Sequence, residues 1–116
     1  MLGATRSAWT AVFVGDGLKT IREEVQERDF RIAKNKYWFG EGGLRLYDSQ
    51  RFTIGPAKRI ISLHILFDSA GHVTKFSKRD DGRAVAIESA EAQEALARAA
   101  VLAAEARATA GIPAAR

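Results

Sequence analysis

The stretch 58–78, KRIISLHILFDSAGHVTKFSK, decides the architecture of the chain. Apolar residues recur there at every second position, which predicts a strand with one apolar face; this face carries Ile61, Leu63, Ile65 and Phe67. Asp68–Gly71 is typical of a hairpin connection, because Gly71 suits a left-handed backbone position. We therefore predict two antiparallel strands, Lys58–Phe67 and His72–Lys78, joined by this turn.

Further strands are predicted on both sides of this hairpin. Ala8–Val14 alternates, with Trp9, Ala11 and Phe13 on one face. A period of two also runs from 29 to 39 and from 44 to 54, where it admits a break at Asp48–Ser49. Ala84–Ile87 predicts one short additional strand.

A helix is predicted over 17–28, directly after the first strand. Leu18, Ile21 and Val25 fall at i, i+3 and i+7 and form a narrow apolar stripe. Asp16 precedes this segment and would be its N-cap, because a carboxylate accepts hydrogen bonds from the free N–H groups at a helix start.

Alanine dominates the end of the chain, where it makes up 15 of residues 84–116. A helix over 90–110 is predicted, with Ser89 as its N-cap and Gly111 and Pro113 at its end. Its small-residue face comprises Ala92, Leu96, Ala99, Ala103, Ala106 and Ala110. Two interpretations stay open. The helix packs on its own sheet, or it pairs with a partner helix through Ala92, Leu96, Ala99, Ala103 and Ala106.

The order of these elements predicts an α+β fold. It consists of a curved antiparallel β-sheet (a meander) with one packed helix and an Ala-rich C-terminal helix. Residues 1–88 would form the sheet part and 89–116 the final helix of the same single domain, since the 116 residues show no internal repeat and no long linker.

Composition limits the function classes. The chain carries 18 Lys+Arg against 14 Asp+Glu, a net charge of +4, and has no Cys. A catalytic thiol, a thiolate zinc site and a disulfide framework are thereby excluded, and we expect no cofactor and no metal. No run of about 20 apolar residues predicts a transmembrane segment. The expected location is cytoplasmic; an envelope location would require that an upstream signal had been removed.

Positive charge is concentrated in residues 28–59, which carry a net +5 and interleave cations with aromatic rings. Nucleic-acid-binding surfaces need cations for phosphates and rings for base stacking. A nucleic acid or another acidic partner would bind Arg28, Arg31, Lys34, Lys36, Tyr37, Trp38, Arg45, Arg51, Lys58 and Arg59. The alternative interpretation is structural, because aromatic residues at strand ends commonly pack in a core and cations keep an outer sheet face soluble.

No set of residues converges on a catalytic centre. Ser62, His64 and Asp68 lie along one strand, where side chains project in parallel. Gly15 and Gly17 lack the third glycine of a dinucleotide-binding loop, since position 20 is Thr. The sequence thus argues against an enzyme and assigns no catalytic residue. One alternative is a small-ligand pocket or enzyme site under the curved sheet, lined by Trp9, Trp38, Tyr47 and His64.

The segment 59–73, RIISLHILFDSAGHV, resembles the last hairpin of small outer-membrane lipoproteins of the SmpA/OmlA type. The shared features are an alternating apolar run, a Phe-Asp pair, a glycine turn and a valine, and the resemblance extends over 44–79. It implies an assembly-factor role in a membrane-protein insertion machine, without catalysis. The chain departs from that family in having no lipid-attachment Cys and an additional Ala-rich helix.

The predicted function is a small non-catalytic protein-binding or assembly module, an accessory or structural subunit. Its partner would be a protein, and a second copy of the chain is one such partner, giving a homo-oligomer. Two alternatives stay open: a nucleic-acid-binding domain that uses segment 28–39, and the small-ligand pocket or enzyme described above.

Overall fold

Seven antiparallel strands follow one another both along the chain and across the sheet. The structure is a computed structural model and describes residues 6–26, 31–53 and 58–112. The strands are β1 (Arg6–Val14), β2 (Gly17–Gln26), β3 (Arg31–Gly40), β4 (Gly43–Thr53), β5 (Ile60–Phe67), β6 (Val73–Asp80) and β7 (Arg83–Val85). Each pairs with its neighbours in sequence, in the order β1 to β7. The α+β fold with a curved antiparallel meander is therefore confirmed.

Strands β5 and β6 are the hairpin on which the fold prediction rests. Ile65 pairs with Phe76 across the two strands. In the connection, Asp68 Oδ1 accepts hydrogen bonds from the backbone N–H groups of Ala70 and His72, both at 2.9 Å. Gly71 has φ 86°, so it occupies the left-handed region that the sequence predicted for it.

The helix α1 (Ser89–Ala110) crosses the inner face of the sheet and contacts β2 and β4. Its N-cap is Glu88, one residue before the predicted Ser89, and the Glu88 N–H donates to Glu91 Oε1 at 3.1 Å. Gly111 ends the helix with φ 72°, as predicted. No helix within the described ranges is both long and apolar enough to cross a membrane.

The core lies between the inner face of the sheet and α1. It is built from alternate residues of the strands and from the small-residue face of the helix, so the two backbones approach closely. Its buried members are Leu18, Ile21, Tyr37, Leu44, Tyr47, Leu63, Ile65, Phe67, Ala92, Ala95, Ala99, Leu102, Ala103 and Ala106. Trp9, Ala11 and Phe13 of β1 are partly buried against one side of this core, which confirms the prediction that they share one face of that strand.

The prediction of a helix over 17–28 is wrong, because this segment contains strand β2. The pairs Phe13–Leu18 and Val12–Thr20 skip Lys19, which marks a β-bulge. The bulge lets Leu18 and Ile21 both face inward although they are three residues apart, a spacing that imitates a helical stripe. Asp16 accordingly lies in the turn between β1 and β2 and is not a helix N-cap.

Strand β4 passes through Asp48 and Ser49 without the break that the sequence admits at these residues. Asp48 pairs with Lys36 on one side and with His64 on the other. Ser49 is fully buried on the inner face. Two adjacent polar residues suit this strand because one contacts charged neighbours on the outer face and the other joins a buried polar cluster.

The two edges of the sheet differ in length and in charge. β1 has nine residues, and its segment Ser7–Val14 contains no charged residue. Within the described part of the chain, β1 pairs with β2 alone. β7 has three residues, all exposed, and begins with Arg83. Short, charged edge strands discourage pairing with another chain, whereas long uncharged ones allow it.

Candidate functional site

The most connected polar cluster lies on the inner face of the sheet, under the first half of α1. Glu23 on β2 is 3% exposed. Its Oε1 accepts hydrogen bonds from Tyr37 Oη at 3.0 Å and from Asn35 Nδ2 at 3.1 Å. Its Oε2 accepts from Nε and Nη2 of Arg98 on α1, at 2.9 and 2.6 Å. This ion pair fastens the helix to the sheet.

Asn35 extends the cluster across β3 to β4. It lies opposite Glu23 on one side and opposite Ser49 on the other. Its Oδ1 accepts hydrogen bonds from Ser49 Oγ at 2.7 Å and from Tyr47 Oη at 3.3 Å. Cross-strand pairing alone thus assembles residues that are far apart in sequence into one network.

The electrostatics of the cluster favour a fixed arrangement. Burial, reinforced by the negative charge of Glu23, raises the pKa of the Tyr37 phenol, which therefore remains a proton donor. The hydrogen bonds to Glu23 raise the pKa of the Arg98 guanidinium. Each oxygen of Glu23 already accepts two hydrogen bonds. The carboxylate is held by the fold and not offered to a substrate.

A cleft of about 490 Å³ opens beside this cluster, and Arg51, Glu91, Glu94 and Arg98 contribute to its lining. Lys78 Nζ donates to Glu91 Oε1 at 2.8 Å. Burial opposes ionisation of Glu91, but the hydrogen bonds from Lys78 and from the Glu88 N–H, together with the positive charges of Lys78 and Arg51, outweigh it and lower the pKa of this carboxyl. Glu91 Oε2 is buried with no hydrogen-bond partner among the described residues. Because the lining carries both signs of charge, the cleft indicates no single class of ligand.

The residues predicted to bind nucleic acid or an acidic partner are divided between the two faces of the sheet. Lys34, Lys36 and Trp38 lie on the outer face, where Lys36 Nζ is 4.2 Å from the centroid of the Trp38 ring. Lys34 Nζ lies 5.8 Å from the centroid of Phe52. Tyr37 is buried in the inner cluster instead. The structure therefore brings three of the ten together on an accessible surface.

The other members of that set are dispersed. Arg31 and Arg51 line a second cleft, of about 570 Å³, on the side of α1. Arg45 Nε donates to the Phe67 carbonyl at 3.0 Å, and Arg59 forms an ion pair with Asp80. Lys58 is exposed next to Arg59. Arg28 lies outside the described residues.

The four residues proposed for a ligand pocket do not line one cavity. Trp9 and Tyr47 face the inner side of the sheet, where they belong to or pack against the core. Trp38 contacts Lys36 on the outer face, and His64 is paired with Asp48 there. The sheet itself separates the two pairs, because neighbouring positions along a strand point to opposite faces.

The predicted partner-helix face lies against the sheet of its own chain. Ala92, Ala99, Ala103 and Ala106 are buried in the core, and Leu96 packs against it. Another helix could reach these residues only by displacing α1 from the sheet. Pairing of this face with a partner helix stays a prediction.

Both histidines lie near one carboxylate each. His64 Nδ1 is 3.5 Å from Asp48 Oδ1, and His72 Nδ1 is 3.3 Å from Asp68 Oδ2. The backbone N–H of His72 is the main cause that lowers the pKa of Asp68. In ranges 6–26, 31–53 and 58–112, no group of three or more His, Asp or Glu side chains could hold a metal ion.

Two features escaped the sequence analysis. The first is the Glu23–Arg98 pair, for which the chain offers no local signal because its members are 75 positions apart. The second is the accessible edge of β1, where Val12 and Val14 are 56% and 69% exposed. Ser7–Val14 lacks the charge and proline that usually protect an edge strand from pairing. A sequence pattern does not reveal which strand lies at an edge.

Comparison with protein-family models, curated proteins and solved structures found no match to this chain.

Proposed function

We propose that the protein is a small non-catalytic protein-binding module with a role in assembly, and that the open edge of β1 is its binding surface. The observation that supports this proposal is the edge strand β1, in which the segment Ser7–Val14 carries no charge. The backbone N–H and C=O groups on an open edge can pair with an added strand. An assembly role is also what the resemblance of 59–73 to the SmpA/OmlA-type hairpin implies.

The side chains of β1 suit such an addition. Trp9, Ala11 and Phe13 are only partly buried against the core, so an added strand can cover their remaining apolar surface. Burial of apolar surface contributes roughly 25 cal/mol per Å². Val12 and Val14 on the other face are exposed β-branched residues, which pack well against a neighbouring strand. Main-chain hydrogen bonds to the added strand would thus supply affinity, and side-chain contacts would supply selectivity.

Photo-crosslinking in cells that naturally make the protein tests this function. We would place benzoylphenylalanine at Val14 and, as a matched control, at Val101, which is 48% exposed on α1. We expect discrete protein adducts from position 14 that are absent at position 101. Adducts of equal amount and identity at both positions, or none at position 14, would contradict a binding role for β1.

A nucleic-acid-binding function is the second candidate, favoured by the outer face of the sheet. Arg22 lies directly opposite Lys36, and Lys34 and Trp38 are on the same face. Two cations held opposite each other repel, and a phosphate would relieve that repulsion. Glu24 and Asp48, on the same face, oppose binding of an anion.

Fluorescence anisotropy with labelled single-stranded and duplex nucleic acid tests this candidate between about 50 and 200 mM salt. We expect Lys34→Ala and Lys36→Ala each to lower the slope of log affinity against log salt by about one. Lys19→Ala, an exposed position on the β2 bulge, is the control and should leave the slope unchanged. Absence of binding at low salt would dismiss this function.

A further inference from the structure

The sequence of β1 is complementary to itself when two copies run antiparallel. We propose that the partner of the β1 edge is β1 of a second copy of this chain, in the register that places Ala11 opposite Ala11. The inference rests on the proposed function and specifies its partner. The paired stretch would be 8–14, and the two sheets would continue into one another across it.

The inner row of β1 matches in this register. Trp9 of each copy lies opposite Phe13 of the other, with the small Ala11 pair between them. Aromatic pairs across neighbouring strands stabilise a sheet. Since Trp9 and Phe13 already lie against the core of their own chain, pairing would join the two cores along one apolar surface.

The outer row also matches. Thr10 lies opposite Val12, and Ala8 lies opposite Val14, so no like charges meet along the paired stretch. Two-fold symmetry repeats every one of these matches.

A neighbouring register fits less well. If Thr10 were opposite Thr10, Trp9 would lie opposite Ala11 and Phe13 opposite Ser7. Both aromatic pairs would then be lost. The Ala11-centred register is therefore the specific prediction.

The absence of native cysteine allows a direct test of this register. Thr10→Cys and Val12→Cys both alter exposed positions, so neither change disturbs the core. When the two single variants are mixed and oxidised, we expect the mixed disulfide between positions 10 and 12 to exceed either self-disulfide several-fold. The reason is that directly opposite Cβ atoms are about 5 Å apart and diagonal ones about 7 Å. A statistical 1:2:1 distribution, or a dominant self-disulfide of the Thr10→Cys variant, would overturn the proposal.

Sedimentation equilibrium of the full chain provides the second measurement. We expect a concentration-dependent species of twice 12.7 kDa. Val12→Lys combined with Val14→Lys should raise its dissociation constant more than about tenfold, because edge lysines oppose strand pairing. Val73→Lys with Val101→Lys introduces the same charge at other exposed positions and should leave the constant unchanged. Thermal melting of both double variants would verify that each is folded when its dissociation constant is measured.

The outcomes separate this inference from the proposed function. A monomer at every concentration overturns the second copy as partner. If position 14 still crosslinks to a different protein, the protein-binding function stands while the inference fails. If neither self-association nor a position-specific adduct is observed, both are wrong.

Discussion

Both halves of α1 bury alanine residues in the core, but among the described residues the N-terminal half alone adds ion pairs to the sheet. The N-terminal half connects to the strands through ion pairs, Arg98 with Glu23 and Glu91 with Lys78. The C-terminal half has no such pair among the described residues and lies over apolar strand ends near Leu18. Directional bonds specify where a helix sits, whereas apolar burial acts without direction and supplies stability.

The difference indicates how an alanine-rich helix is positioned. A face made of alanine could slide along the sheet with little change in packing, because its residues are alike. The bond from Arg98 to the buried Glu23 removes that freedom. We infer that the polar half sets the register of the helix and the apolar half contributes most of the free energy of docking.

Shortening the largest buried side chain of the apolar half should cause the greatest loss of stability. Leu102 is fully buried, so we expect Leu102→Ala to lower the free energy of unfolding by about 3 kcal/mol through lost burial and a cavity. Urea denaturation measures this change. The neighbouring Val101→Ala, at an exposed position, should change stability by less than about 0.5 kcal/mol. Equal losses would contradict the assignment of docking energy to this half.

The polar half should respond less strongly to Glu23→Ala. The change removes the acceptor for Tyr37, Asn35 and Arg98, but Arg98 is 40% exposed at its side chain and can be hydrated. We therefore expect a loss of about 2 kcal/mol, below the usual cost of breaking a fully buried pair. Glu24→Ala on the same strand is the exposed control, with an expected loss under about 1 kcal/mol. If Glu23→Ala lowered the free energy of unfolding more than Leu102→Ala does, the polar half and not the apolar half would contribute most of the docking energy.

A single hydrogen bond of the polar half, from an uncharged donor to the Glu23 carboxylate, can be removed with Tyr37→Phe. The variant keeps the ring and deletes the hydroxyl that donates to Glu23, so the expected loss is about 1 kcal/mol. Tyr47→Phe, whose hydroxyl lies 3.3 Å from Asn35, should cost less. Urea midpoints of the two variants, measured side by side, would show which variant is less stable. If Tyr47→Phe were the less stable one, the network would be centred on Asn35 and not on Glu23.

Alkaline pH should weaken the fold through the same tyrosine. The pKa of Tyr37 is raised in the folded state above its ordinary value of 10.0, so the stability it contributes is complete well below pH 10 and is lost as pH rises through and above that value. Between pH 9 and 10.5 we expect a decrease of roughly 0.8 kcal/mol. Denaturation at both pH values measures it, and Tyr37→Phe should show a flatter dependence. If the wild-type chain and Tyr37→Phe lost stability equally over this pH range, the loss would not come from ionisation of Tyr37.

Local patterns predicted most of the architecture. The alternation in β5, the turn at Gly71 and the glycine end of α1 each depend on near neighbours, and the structure confirms them. Strand β2 was mistaken for a helix, since the bulge at Lys19 and the buried Glu23 disguised its period of two. A bulge is defined by pairing with another strand, which a single segment does not display.

The candidate sites were less accessible to sequence reasoning for a related reason. Lys36 and Tyr37 are adjacent in sequence but lie on opposite faces of the sheet, so a cluster in sequence became two sites in space. The Glu23 network depends on cross-strand register and on where α1 docks. Both are properties of the whole fold, and charge or aromatic content does not encode them.

The three-residue strand β7 limits how far the proposed pairing can propagate. A molecule whose two sheet edges can both pair polymerises into a fibre. A molecule with one such edge can bind only one further copy in the direction of the sheet. Pairing through β1 would occupy this edge in both copies and leave β7 at each outer end of the joined sheet. The assembly would then terminate at fourteen strands, twice the seven that the described residues of one copy form, and could reach high concentration without forming filaments.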